Sequence, residues 1–332
     1  MRLFLARFKR LSAVSVAVAL MCVCCLFLAC DNYKSGEYKD TFKYYAGFSV
    51  NYIDMGEGDA IFINFADGKT MLIDCGYEND GNYNSVKRYL DEYTDGTLTY
   101  LVLTHPDADH IGNAAKIIEN YTVEKAFLPY IISPQNFNLY YRALTLLNEK
   151  EVQIVYSAVG TTVFGDDYFL VMLSPNAKET TDSAYDIFNS YEDPPADVRN
   201  NVSPIIYLEY KGVRFIFTGD AGVSQEKVAL NNFNLGIVNK NEVNLADIDF
   251  LKVSHHGAAD ASGDEFLQAL TPKNAVISVG VNTYSHPAKA TLSRILNANE
   301  DCDLYLTSVC GTVSVFVDGK GKATVHTAAD AA

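Results

Sequence analysis

The stretch Leu101-Val102-Leu103-Thr104-His105-Pro106-Asp107-Ala108-Asp109-His110-Ile111-Gly112-Asn113 decides how this chain is read. It opens as an aliphatic, β-branched run, which suits a buried strand. Thr104-His105-Pro106 stops that strand, because proline has no amide to give to a central ladder. Four side chains able to bind a metal then fall within six positions: His105, Asp107, Asp109 and His110. Imidazole and carboxylate together suit zinc, manganese or iron. A turn just past a buried strand holds such groups well, since the sheet fixes the backbone while the side chains stay accessible. The bland alternative is an acidic turn with two incidental histidines. The chain has only six histidines, so finding two of them here argues against it. Gly112 and the apolar run from Ala114 to Ile118 start a helix.

The chain has 332 residues, 48% of them hydrophobic, enough for one large core or two fused halves. Its formal charge is -15. Such a surface repels polyanions at long range. This disfavours non-specific coating of DNA, but it does not forbid cleaving a phosphodiester at a local metal site.

The N-terminus reads as a processing signal. Arg2, Arg7, Lys9 and Arg10 precede an apolar run from Leu11 to Ala29, which closes on Leu26-Phe27-Leu28-Ala29-Cys30. That end resembles a bacterial lipobox. Residues 1–30 are therefore expected to be a lipoprotein signal peptide with Cys30 lipidated. An uncleaved transmembrane anchor is the alternative, because the run approaches the ~20 residues needed to span. Either reading puts the body on the extracytoplasmic face of the cell membrane. Residues 31–46 read as a tether, and 47–328 as the folded domain. Of the cysteines, Cys75, Cys302 and Cys310 remain in that domain. A Cys302–Cys310 disulfide is open to an exported protein, although spacing alone does not establish it. No CxxC pair is present there, which argues against a thiolate zinc site.

Strands are expected at Phe48–Ile53, Ala60–Phe65, Thr70–Ile73, Tyr100–Thr104, Lys125–Leu128 and Val152–Tyr156. Helices are expected at Ser85–Glu92, Ala114–Asn120 and Phe137–Lys150. A hairpin at Thr161–Leu173 leads into the polar segment Asn176–Asp197, with Pro194-Pro195, read as a loop over the site. The second half repeats the style. Strands Ile205–Tyr210 and Val213–Phe217 end in Thr218-Gly219-Asp220, and Ile248–Val253 ends in Ser254-His255-His256-Gly257. Helices Ala221–Leu230, Asp264–Leu270 and Lys289–Asn297 alternate with further strands. Runs of strands followed by helices, in two halves, fit two sheets face to face with helices outside.

His105-x-Asp107-x-Asp109-His110 resembles the His-x-His-x-Asp-His signature of the metallo-β-lactamase superfamily, with Asp107 in the second histidine position. The variant is similar to the hydrolase domain of ComEC-type competence proteins. Asp54-Met55-Gly56-Glu57-Gly58-Asp59-Ala60 resembles their DVGQGDA stretch, and Asp74-Cys75-Gly76 their DTG. Thr218-Gly219-Asp220 resembles TGD, Leu251-Lys252-Val253-Ser254-His255-His256-Gly257 resembles LKVPHHGS, and Ser285-His286-Pro287 resembles GHP. Arg199-Asn200-Asn201-Val202-Ser203 stands where the superfamily has a further histidine, and resembles the asparagine-serine pattern of ComEC-type domains. The resemblance runs from about Phe48 to about Val325. It implies an α/β fold: an αβ/βα four-layer sandwich of two mixed β-sheets flanked by helices.

It also implies one or two divalent metal ions, manganese or zinc. The first position would take His105, Asp107 and Asp220, with Asn200 or Asn201 nearby. The second would take Asp109, His110, Asp220 and His255. Oxygen donors in place of imidazoles shift preference from zinc towards manganese, and leave the first position open to being empty. His255 is assigned to metal and His256 to substrate or proton donation, with the reverse left open. Asp59 and Asp74 read either as carboxylates that orient metal-binding histidines or as turn caps. Asp109 would accept a proton from water, and His256 or His286 would protonate the leaving oxygen. The implied activity is surface-anchored, metal-dependent hydrolysis of a phosphodiester, DNA among the candidates. The rivals are hydrolysis of another ester (a cell-wall phosphodiester, a lactone or a β-lactam) and a non-catalytic binding lipoprotein. No protein partner is evident.

Overall fold

Alternation along the strands sorts side chains into three apolar layers. In the computed structural model, which describes residues 47–178, 180 and 183–331, Ile61 and Ile63 face one core and Phe62 between them faces another. Phe215 and Phe217 likewise join the first of these cores, while Ile216 turns to a third. A period of two with apolar residues in both phases is what a strand buried on both faces requires. The expected signal peptide, Cys30 and the tether lie outside the described residues.

The first half contributes β1 (Phe48–Tyr52), β2 (Ile61–Asn64), β3 (Thr70–Ile73), β4 (Thr97–Val102), β5 (Thr122–Leu128) and β6 (Gln153–Tyr156). Then come β7 (Thr162–Phe164), β8 (Tyr168–Ser174), β9 (Ile205–Tyr210), β10 (Val213–Phe217), β11 (Phe250–Lys252), β12 (Asn274–Ile277), β13 (Asp303–Leu306), β14 (Val313–Val317) and β15 (Ala323–Thr327). One sheet has the order β15-β14-β1-β2-β3-β4-β5-β6, the other β13-β12-β11-β10-β9-β8-β7. Both are mixed in the same way. β3 to β6 pair parallel, as do β10 to β13, and the remaining pairs are antiparallel.

The facing surfaces of the two sheets enclose the central core, with Val50, Ile63, Met71, Leu170, Leu208, Phe215 and Val276 among its members. Helices α1 (Asp80–Tyr93), α2 (Ala108–Ile111), α3 (Ala114–Asn120) and α4 (Asn138–Glu149) follow strands of the first sheet, and Val86, Ile117 and Tyr140 seal its outer face. Next in the chain are α5 (Ala184–Asn189) and α6 (Ala196–Asn200). Helices α7 (Val223–Asn234), α8 (Asp264–Leu270) and α9 (Lys289–Ala298) bury Leu230, Phe266 and Ile295 against the second sheet. The result is the expected αβ/βα four-layer sandwich.

Three local expectations change. The strand before the central motif ends at Val102, and Leu103 and Thr104 are already outside it. The polar segment Asn176–Asp197 is not all loop. Ser183 caps α5 by accepting from the Tyr185 amide at 3.2 Å, and Tyr185 and Phe188 are buried. Cys302 and Cys310 are not joined in a disulfide. They pack on different cores, Cys302 outside the second sheet and Cys310 between the sheets, so no bridge forms.

Candidate metal centre

The site lies at the carboxyl ends of the parallel strands, where α/β sheets characteristically open a crevice. β3 runs into Asp74, β4 into His105 to His110, β10 into Asp220, and β11 into His255 and His256. The glycine-rich turn before β2 closes over them. Its Gly58 has φ +122°, and a Cβ there would sit 2.4 Å from the Asp109 carbonyl oxygen. Only glycine permits that approach, and it lets the Asp59 amide donate to Asp109 O at 3.1 Å.

Asp109, His110, Asp220 and His256 bring one donor atom each within 4.8 Å of one another. His110 Nε2 is 3.2 Å from Asp220 Oδ1, and His256 Nε2 is 3.3 Å from Asp109 Oδ2. The other nitrogen of each ring is engaged. His110 Nδ1 lies 2.7 Å from Asp74 Oδ2, and His256 Nδ1 lies 2.8 Å from the Ser278 carbonyl. A carbonyl or carboxylate accepts only from N–H, so Nδ1 carries the proton in each neutral ring and Nε2 presents its lone pair. His110 Nε2, His256 Nε2 and Asp220 Oδ1 are buried and have no hydrogen-bond partner. Buried polar atoms are rarely left so, and these three converge with a second carboxylate, as ligands for a cation do.

Charge makes the same demand. Burial opposes a charged His256 ring, yet Asp220, Asp109 and Asp59 outweigh it and push its pKa up to about 9. Burial likewise opposes charge on His110, but Asp220, Asp74 and Asp109 hold it well above the usual imidazole value. Burial would raise the Asp220 and Asp109 carboxyls, yet His110 and His256 hold both below the usual range. The cluster thus calls for positive charge, and its donor set fits divalent metal ions.

Asp74 and Asp59 lie behind the ligands. Asp74 Oδ1 accepts from the Thr104 amide at 2.9 Å, and its Oδ2 accepts from the Thr104 hydroxyl at 2.7 Å as well as facing His110. It adopts φ 58° to do so, a region that Asp tolerates better than most residues. Asp59 Oδ2 is 2.6 Å from Lys252 Nζ, and its Oδ1 is 3.7 Å from His256 Nδ1.

The remaining expected residues divide. His105 is buried, its Nδ1 3.1 Å from Thr104 Oγ1 and 3.2 Å from Ser203 Oγ. Its Nε2 has no partner and lies 3.9 Å from Asp220 Oδ2. Burial and the neighbouring His110 lower its pKa, so the ring is neutral and able to ligate. His255 Nε2 is 3.8 Å from Asp220 Oδ2, but His256, not His255, completes the tight four-donor group. The reason is the backbone. His255 and His256 both adopt left-handed conformations, φ 49° and 51°, which turn His256 inwards and leave His255 at the cleft wall.

Asp107 stays outside the cluster. Its carboxylate accepts from Arg199 Nε at 2.7 Å and Nη2 at 3.2 Å. Asn200 is buried beside His255, with Nδ2 3.3 Å from Nε2 and Oδ1 unpartnered. Asn201 does not reach the cluster, because its Oδ1 accepts from the Gly222 amide at 3.2 Å and pins the turn after Asp220. His286 faces the cleft, its Nδ1 3.5 Å from Glu57 Oε1.

A cleft of about 490 Å³ opens over the cluster, lined by Glu57, Tyr77, Asp109, Phe137, Leu139, Arg199, Asp220, His255, Tyr284 and His286 among others. Sequence reading missed Lys252, although a lysine inside the apolar run Phe250-Leu251-Lys252-Val253 was a visible anomaly. It also missed Glu57 and the aromatic walls Tyr77 and Tyr284, whose place at the cleft depends on loops folding back over the sheet ends.

Residues 53–148 match the model of the metallo-beta-lactamase superfamily. The chain is 29% identical over 262 residues to ComE operon protein 3 of Bacillus subtilis (strain 168), a match covering 73% of this chain and 30% of that protein. It is 25% identical over 253 residues to Recombination protein 2 of Haemophilus influenzae, covering 75% of this chain and 26% of that protein. The match therefore spans less than a third of either relative. Among solved structures, a metallo-beta-lactamase fold protein of Bacillus subtilis aligns at TM-score 0.45 and 7% identity, covering 78% of this chain and 96% of that one. CmlA, a diiron beta-hydroxylase from Streptomyces venezuelae, aligns at TM-score 0.47 and 13% identity, covering 82% and 55%. By the family match over residues 53–148, the two relatives and the two-sheet architecture with its histidine–aspartate cluster, the chain is similar to proteins of the metallo-β-lactamase superfamily.

Proposed function

We propose that the chain is a metal-dependent hydrolase of phosphodiesters, anchored by an N-terminal lipid on the outer face of the cell membrane, with DNA or a related polyanion as substrate. The observation that carries the hydrolase reading is the convergence of His110 Nε2, His256 Nε2, Asp109 and Asp220, each imidazole fixed by a partner at Nδ1. A divalent metal bound there would polarise a phosphoryl oxygen and acidify a water molecule. Asp109 is the carboxylate at the mouth of the cluster and would accept a proton from a water molecule in the cleft. His286, outside the four-donor group with its ring 6.3 Å from that of His256, would give a proton to a leaving oxygen. Arg199 is the one lysine or arginine among the described residues lining the cleft, and its guanidinium is paired there with Asp107. The DNA assignment draws on the competence-type relatives; the net charge of -15 restricts it to strands delivered into the cleft, rather than collected over the surface.

The test is turnover of bis-p-nitrophenyl phosphate with manganese or zinc. Wild type is expected to turn over only with metal, and Asp109→Ala and His110→Ala to lose activity while keeping the wild-type circular dichroism. A folded wild type that is inert on this ester, on linear DNA, on teichoic acid and on nitrocefin would remove the enzyme reading in favour of a binding lipoprotein.

A further inference from the structure

We infer that Arg199 withholds Asp107 from metal coordination, so that the cluster retains a single tightly bound divalent cation, and that removing Arg199 would create a second metal position. The inference rests on the metal-dependent reading above.

Asp107 is in the motif's second ligand slot and at the N-cap of α2, yet its side chain performs neither role. It makes no capping hydrogen bond to the helix. Both its oxygens are taken by the fork of Arg199, at 2.7 and 3.2 Å, and Arg199 Nη1 donates onward to the Pro194 carbonyl at 2.9 Å. A bidentate guanidinium–carboxylate pair is among the stronger side-chain contacts, and here the chain holds it at both ends.

The four-donor group of Asp109, His110, Asp220 and His256 would supply two carboxylates and two imidazoles to one ion. What is left for a second ion is His105 Nε2 and His255 Nε2, each 3.8–3.9 Å from the already shared Asp220 Oδ2, and the unpartnered Asn200 Oδ1. That set has no carboxylate of its own. Asp107 is the carboxylate that would supply one, and its negative charge is already matched by Arg199. Methionine at 199 would remove the positive charge and the fork together, leaving Asp107 free to ligate.

The experiment counts manganese retained per chain by the full-length protein after equilibrium dialysis, and records the Mn²⁺ electron paramagnetic resonance spectrum. Wild type should retain one ion with the spectrum of an isolated centre. Arg199→Met should retain two, with line broadening from a coupled pair, and Arg199→Met with Asp107→Asn should return to one. Arg199→Gln provides the same reading should the methionine variant misfold. Two ions in wild type, or one in a folded Arg199→Met or Arg199→Gln variant, would overturn the inference and leave the proposed function standing. Wild type that retains none would overturn both.

Discussion

Lys252 Nζ lies 2.6 Å from Asp59 Oδ2, and both side chains are buried. The pair joins the turn before β2 in one sheet to β11 in the other, directly behind His256. Buried charge is tolerated only when paired and hydrogen-bonded, and Lys252 also donates to the Val253 carbonyl at 3.0 Å. Removing one partner strands the other charge. Lys252→Met is expected to cost about 3–5 kcal/mol in urea unfolding, and Asp59→Asn a comparable amount. The double variant should recover much of either loss. Strictly additive losses would mean that the two residues act independently.

Asp74 fixes His110 through the 2.7 Å contact to Nδ1. Carboxylates in this position typically contribute 10–100-fold to metal affinity by orienting the imidazole. Asp74→Ala should therefore weaken manganese or zinc binding by about that factor in a chelator competition, with stoichiometry unchanged. Unaltered affinity would show that packing alone holds the His110 ring.

Glu226 on α7 gives a pH dependence away from the metal ligands. Its carboxylate accepts from the Ser262 and Gly263 amides at 2.6 and 2.8 Å and steadies the loop that follows His256. Burial pushes its pKa up to about 7, against the downward pull of the Gly263 and Ser262 amides and Arg294. The native state therefore keeps a proton that the unfolded chain loses near the ordinary value of 4.5. Stability from this group is full below 4.5 and falls as pH rises to about 7, by roughly 3 kcal/mol at most. Glu226→Gln should flatten that part of the Tm-versus-pH curve, at a constant cost from the lost acceptor. Parallel curves for the two proteins between pH 4.5 and 7.5 would rule out the effect.

The two sheets were readable because apolar side chains recur with a period of two and each strand ends in glycine, proline or a polar turn. The histidine–aspartate cluster was readable because His105 to His110 stand together after a strand. The division of labour between His255 and His256 was not. It depends on consecutive left-handed residues and on the Ser278 carbonyl, neither of which leaves a periodic trace. The pairing of Asp107 was not legible for a related reason: its partner Arg199 is 92 positions away, and no local pattern couples them. The helix at Ala184–Asn189 was hidden by its polar flanks, although Tyr185 and Phe188 are the residues that bury it.

The His286→Gln substitution separates proton donation from mere proximity. The loop of His286 is held by Asn282, whose Oδ1 accepts from the His286 amide at 3.1 Å and whose Nδ2 donates to its carbonyl at 2.9 Å. The ring stacks on Tyr284 at 5.7 Å and lies 5.4 Å from His255, so it faces substrate space from a fixed base. A proton donor matters only when the leaving oxygen is basic. p-Nitrophenolate leaves unaided, whereas a sugar alkoxide must be protonated as the bond breaks. His286→Gln should therefore leave kcat on bis-p-nitrophenyl phosphate nearly unchanged and lower kcat on a dinucleotide by about 10²–10⁴, with KM affected little. An equal fall on both substrates would place His286 in binding or packing instead, since those contributions do not depend on the basicity of the leaving group.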